Sequence, residues 1–263
     1  MSKFIIPSDC IPKPFRQDVI DENGKLVTSV GSCAACTLTK ILEVLNYVKT
    51  GEYVELSKGY MYGRNNYPGK RNPGMQVQYT LDVLLKRGSV PAHLCTEYDE
   101  IPDIIEKIES RPDLAELDKI AEGYKLKSWE NIGKQNLFKN VKEYLEEKQL
   151  PLAVKISKWK GEPHSVVAVG YEDDYILWQD HDGTNEIHRL PYNRFTEAYY
   201  LEGEIDMKKF TDVDDNRWSK KYIDKVCEKG IMKGVDDDNF APIEPVTREQ
   251  LAAVLCRALY GME

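Results

Sequence analysis

A cysteine, a histidine and an aspartate occur in this chain in the order and settings that thiol chemistry needs. Cys33 opens a run, residues 33–49, in which Leu38, Ile41, Leu42, Leu45 and Val48 recur at spacings of three and four, the apolar stripe of a packed helix. A thiol at a helix N-terminus ionises more readily than a free one, and a nearby imidazole lowers its pKa further. The preceding Gly31-Ser32 pair lets the backbone turn tightly into the helix. The Cys33 amide can then face the oxyanion that acyl transfer creates.

His164 begins a β-branched run, residues 165–170, about 130 residues downstream, and Asp180 ends the next such run, residues 175–178, across an Asp173-Asp174 turn. If these runs are neighbouring strands of a hairpin, the Asp180 carboxylate lies beside the imidazole and can hold it in the tautomer and orientation of a base. The other ring and thiol candidates are weaker. Cys36 forms a Cys-x-x-Cys with Cys33, but no preceding βαβ strand supports a redox site and no second ligand pair supports a metal, so it reads as a core thiol. No metal and no cofactor is expected. His181 is a lesser candidate base in what reads as an exposed turn, and for His93 and His188 the sequence names no partner.

The elements that must position these residues are legible in outline. A second helix is expected over residues 75–87, ending at Gly88, and one or two surface helices over the charged stretch 102–134, then another over 141–148. Strands follow over 151–156, 165–171 and 175–178. Helices first and sheet afterwards argue for an α+β fold rather than a βαβ repeat. Near residue 205 the composition turns to Asp-rich loops around two short helices, which sets a domain boundary there, with domains 1–205 and 206–263.

Composition limits the alternatives. With 41% hydrophobic and 30% charged residues the 263-residue chain is in the globular range, and a formal charge of −8 argues against a nucleic-acid partner. No run approaches the roughly 20 apolar residues a spanning helix needs, so no membrane insertion is expected. The first residues, Met1-Ser2-Lys3-Phe4-Ile5-Ile6-Pro7, hold too short an apolar run for a signal-peptide core, and the expectation is synthesis in the cytoplasm. Six cysteines spread along the chain are too sparse for a disulfide scaffold.

Gly31-Ser32-Cys33-Ala34-Ala35 resembles the nucleophile motif of the papain-like cysteine peptidases, Gly-Ser-Cys-x-Ala. His164-Ser165-Val166-Val167-Ala168-Val169-Gly170-Tyr171 is similar to that family's His-Ala-Val-x-x-Val-Gly-Tyr. Asp180 falls where the family has its orienting Asn, Glu43 where the helix often carries Glu, and Gly74 where substrate-binding glycines lie. The likeness covers about residues 10 to 200, is closest to the bacterial and phage branch, and shows no pro-region. It implies a papain-like fold of a helical and an antiparallel β subdomain, and hydrolysis of peptide or protein substrates by Cys33, His164 and Asp180, with Gly74 binding substrate. The departures concern activity. Val27 occupies the place of the oxyanion-hole Gln. Gln17, the nearest upstream Gln, would need a longer loop to reach, while Thr28 or Ser29 could donate instead. Asp182 replaces the Trp that shields the orienter.

Phe210-Thr211-Asp212-Val213, Trp218, Gly230-Ile231, Gly234, Phe240-Ala241-Pro242 and Val246-Thr247-Arg248-Glu249-Gln250 resemble an S-layer homology domain in order and content. Read from the residues alone, this is a two-helix unit, 218–229 and 247–260, with Thr247 and Gln250 as a capping box and the Asp runs as solvated loops. The resemblance implies binding to bacterial cell-wall polymers by three packed modules. A single copy here could supply a third of such an assembly in a homotrimer, could bind weakly or could serve only as a docking piece, with association to a cell surface or phage particle. The rival readings are a catalytically silent papain-like fold serving as a cell-wall or phage-structure binding module, and an acyl transferase of the same fold.

Overall fold

A computed structural model describes residues 2–14, 16–17, 19–20, 26–28, 31–51, 53–64, 74–96, 104–204, 210–214, 217–228, 231–232, 234–236 and 238–260. The chain divides into two compact units, one of Met1–Lys49 with Tyr53–Ile205 and one of Asp206–Glu263 with Thr50–Glu52. In the larger unit the strands are β1 (Lys3–Ile5), β2 (Val19–Ile20), β3 (Leu26–Thr28), β4 (Lys125–Asn131), β5 (Leu152–Trp159), β6 (Glu162–Glu172), β7 (Tyr175–Gln179), β8 (Ile187–Pro191) and β9 (Phe195–Glu204). Its helices are α1 (Cys33–Thr50), α2 (Lys58–Gly63), α3 (Val77–Lys86), α4 (Ile104–Glu109), α5 (Leu114–Ala121) and α6 (Leu137–Lys148). The smaller unit holds α7 (Lys220–Glu228) and α8 (Arg248–Tyr260). Among the described residues no helix is long and apolar enough to cross a membrane.

Most of the apolar stripe of α1 becomes its buried face: Leu38, Ile41 and Leu42, with Ala34 and Ala35, are wholly inaccessible, whereas Val48 is 52% exposed. Against it lies an antiparallel sheet ordered β4-β9-β5-β6-β7-β8, with β1 also paired to β6. The central strands β5 and β6 read as near-continuous apolar runs because both their faces are covered, from Leu152 to Val154 and from Val166 to Val169. Gly170 allows the third pairing of β6: a Cβ there would meet the Phe4 carbonyl oxygen of β1 at 2.4 Å.

Two expectations need correction. Residues 102–134 are not helical throughout, since α4 and α5 give way to strand β4, which pairs along its length with β9. An edge strand carrying Lys125, Lys127 and Glu130 hides its period-two pattern among solvated charges, and only Leu126 is fully buried. The pairing strands β8 and β9 were likewise invisible to apolar periodicity. In addition, α6 begins at Leu137, ahead of the expected 141.

In the smaller unit Phe210, Val213 and Ile223 form a small core with Cys227 and Phe240 packed on it. The capping box is present: Gln250 N–H donates to Thr247 Oγ1 at 3.1 Å and Thr247 N–H to Gln250 Oε1 at 2.9 Å. Asp212 accepts from the N–H groups of Phe240 and Ala241 at 2.9 and 2.7 Å, so this acidic loop residue is engaged in holding its own chain together. Gly234 permits close packing, since a Cβ there would lie 2.3 Å from the Phe210 ring.

Candidate active site

Cys33 is the first residue of α1, half-buried at the mouth of a cleft of roughly 910 Å³. The helix closes its first turn from Ser32, whose carbonyl accepts from Cys36 N–H at 2.9 Å, so the sulfur sits at the positive end of an 18-residue helix. Across the cleft, β6 and β7 pair antiparallel as a hairpin. That pairing sets His164 beside Asp180: His164 Nε2 donates to Asp180 Oδ1 at 2.7 Å. The other ring nitrogen is left for Cys33, to which His164 is also hydrogen-bonded. Asp180 Oδ1 takes a second bond from the His181 N–H at 2.8 Å.

The electrostatics follow from these contacts. Burial alone would push the Cys33 thiol up, but the hydrogen bond and charge of His164 outweigh it, helped by the backbone N–H groups of Ser165 and Ala34, and the thiol falls below its ordinary value. Burial disfavours charge on His164 too, yet the bonds to Asp180 and Cys33 prevail and raise it to about 9. Asp180 is likewise held well below the usual carboxylate range, its own burial overcome by the hydrogen bond and charge of His164. Side-chain exposures of 15% for His164 and 9% for Asp180 make the pair dry even with Asp182 in place of a shielding Trp. A thiolate, an imidazolium and a carboxylate in this sequence of contacts can attack a carbonyl carbon and protonate a leaving amine.

His181 falls differently from expectation. It is not exposed: it is 4% accessible, and its Nε2 lies 2.9 Å from Thr37 Oγ1 of α1 and 3.0 Å from the Ser165 carbonyl of β6. Burial, with the nearby Lys40 and His164 charges, keeps this imidazole well below its ordinary pKa, and it acts as a neutral clamp between helix and sheet. The turn at Asp182-Gly183-Thr184 is held by the Thr184 N–H and hydroxyl, which donate to Asp182 Oδ1 at 2.9 and 2.7 Å, and His181 lies just ahead of it. Cys36 is fully buried, with Ser32 Oγ at 3.7 Å. Gly74 lines the cleft with Cys33, and a Cβ on it would meet nothing within 4 Å.

Gln17 also lines the cleft, its N–H donating to the His181 carbonyl at 2.8 Å. The longer loop it was expected to need is present in the chain between it and Gly31. Strands β2 and β3, which lie between Gln17 and Gly31 in the chain, pair antiparallel. The side chains of Val27 and Thr28, and Ser29 as a whole, lie outside the described residues.

Behind the thiol, α1 carries two buried charges. Lys40 Nζ donates to Gln179 Oε1 at 3.2 Å, and burial lowers the ammonium to about 8. Glu43 accepts from the Tyr53 hydroxyl and from Leu56 N–H at 2.9 Å, and burial raises it to about 7. As to metal-ligating geometry, donor atoms of Asp180, Asp182 and His188 lie within 4.8 Å of one another. His188, for which the sequence named no partner, stacks near Trp178 with ring centroids 4.6 Å apart and faces Asp182 at 3.9 Å. Asp180, however, is committed to His164.

The chain covers 98% of a cysteine protease of Carica candamarcensis with a TM-score of 0.54 and 14% identity, over 77% of its own length. It also covers 90% of Xylellain, a cysteine protease from Xylella fastidiosa, with a TM-score of 0.51 and 15% identity, over 76% of its length. The larger unit has a papain-like fold. Residues 209–252 match the S-layer homology domain family. The chain is 31% identical over 71 residues to the Surface-layer 125 kDa protein of Lysinibacillus sphaericus, and 38% identical over 60 residues to an Endoglucanase of Bacillus sp. (strain KSM-635). Those matches span 26% and 23% of this chain and only 6% of either relative. The papain-like fold is thus joined to an S-layer homology domain in one chain.

Proposed function

We propose that this chain is a thiol peptidase or amidase whose papain-like domain, residues 1–205, acts through Cys33, His164 and Asp180, and whose S-layer homology domain, residues 206–263, associates it with a bacterial cell wall or phage particle. The observation that carries the reading is the position of His164, bonded to the Cys33 thiol on one side and 2.7 Å from Asp180 on the other. Cys33 as thiolate attacks the amide carbonyl, and His164 delivers its proton to the departing amine. Water then cleaves the thioester, with His164 as the base. The Cys33 N–H and the side chain of Gln17 are assigned to the oxyanion, and Gly74 to the substrate backbone. For the smaller domain, exposed apolar side chains such as Trp218 at 79%, Ile243 at 82% and Leu259 at 68% support a homotrimer, in which modules of three chains cover one another and bind wall polymer together.

The test is labelling with iodoacetamide followed by peptide mapping, beside hydrolysis of a fluorogenic peptide library. Cys33→Ala is expected to abolish both, and Cys36→Ala to leave Cys33 labelled. Rapid Cys33 labelling with no hydrolysis of any peptide or peptidoglycan fragment would favour the silent binding module. Labelling that survives Cys33→Ala and fails in Cys36→Ala would refute the nucleophile assignment.

A further inference from the structure

The cleft carries charge that the acid–base residues do not use. In the apolar run Leu152-Ala153-Val154-Lys155-Ile156 of β5, one residue is a lysine. Lys155 is the register partner of Ser165, the residue after His164, and on its other side of Glu197 in β9. Both Lys155 and Glu197 line the same cleft as Cys33. Lys155 Nζ donates to Glu197 Oε1 at 2.8 Å, and the Tyr199 hydroxyl donates to Glu197 Oε2 at 2.5 Å. Both carboxylate oxygens are therefore occupied. The ammonium has three N–H donors, and among the described residues Glu197 takes one of them.

An apolar side chain at position 155 would continue the strand pattern at no desolvation cost, whereas a half-exposed ammonium on a cleft wall is suited to an acceptor arriving from solvent. Glu197, held by Tyr199, keeps the ammonium oriented and neutralised while the cleft is empty. We propose that Lys155, oriented by Glu197, selects substrates with a carboxylate or carboxamide side chain next to the scissile bond. This selectivity rests on the peptidase reading above and names its substrate class.

The test uses peptidyl epoxides that alkylate the active thiol and differ only in carrying Glu, Gln, Leu or Lys at the two positions preceding the reactive group, with iodoacetamide as a reagent lacking any side chain. The glutamyl and glutaminyl epoxides are expected to label Cys33 at least about tenfold faster than the leucyl one, as a charged hydrogen bond implies. Lys155→Met should collapse the glutamyl-to-leucyl ratio to about twofold or less, and Lys155→Glu should turn the preference toward lysyl. Glu197→Gln, which leaves the strand pairing and the ammonium in place, should raise the ratio, and it keeps the test decisive if the Lys155 variants fail to fold. A leucyl preference in the wild type, or a ratio that none of these substitutions moves, overturns the selectivity and leaves Lys155–Glu197 as a cross-strand pair. Slow iodoacetamide labelling of Cys33 would instead defeat the peptidase reading, and the selectivity with it.

Discussion

His164 is the residue on which the chemistry turns, because it must hold a proton while the thiol beside it has lost one. Burial works against that charge, and the Asp180 and Cys33 contacts that overcome it raise the imidazole to about 9. The sign follows directly. A raised histidine is protonated below about 9 and loses its proton as pH rises through that value, while the thiol beside it is depressed below its ordinary value. Peptide hydrolysis is therefore expected to fall on the alkaline side near pH 9. Alkylation of the thiolate by iodoacetamide, which needs no proton donor, continues above it. Asp180→Asn keeps an acceptor and removes the charge, so the alkaline limb of hydrolysis should move down by about one to three pH units. A pH profile of kcat/KM for the two proteins measures this, and an unmoved limb would mean that Asp180 does not hold the proton. His164 and Asp180 were legible as residues, because each ends or begins a strand signal. The burial of His181 was not, because it depends on Thr37 and Ser165 arriving from other elements.

At the scale of the element, α1 both presents the thiol and anchors the helical subdomain. Its anchor is Glu43, fully buried, which receives the Tyr53 hydroxyl and the Leu56 N–H. Burial raises this carboxyl from 4.5 to about 7. Between those values the folded protein binds more protons than the unfolded chain, so its contribution to stability falls as pH rises, by about 3 kcal/mol across the window. Glu43→Gln removes the titration and should flatten the dependence of the denaturation midpoint between pH 4.5 and 7. Chemical denaturation at several pH values checks it, and an unchanged slope would show that Glu43 does not titrate in that range. Helix α1 was readable from its apolar stripe alone, whereas β4 was not, because an edge strand shows one buried residue and many charges.

At the scale of the whole molecule, the papain-like fold and the S-layer homology domain make different demands on assembly. The cleft is complete within the larger unit, while the smaller one leaves Trp218, Ile243 and Leu259 in water, each more than two-thirds exposed. Light scattering is expected to give a trimeric mass, with removal of residues 206–263 returning a monomer that still labels at Cys33. A monomeric full-length chain would count against the trimer. By itself the sequence determined the local matters: where a helix starts at a thiol, where a hairpin turns, which residue caps α8, and that two kinds of motif share one chain. These rest on periodicity, turn chemistry and capping, which act between residues a few positions apart. Only the tertiary structure decided what reaches the thiol from a distance. The fold brings Gln17 to the cleft and buries His181, and strand register sets Lys155 against Glu197 beside His164. Such contacts join segments far apart along the chain, and their formation depends on which apolar faces pack together rather than on any local pattern.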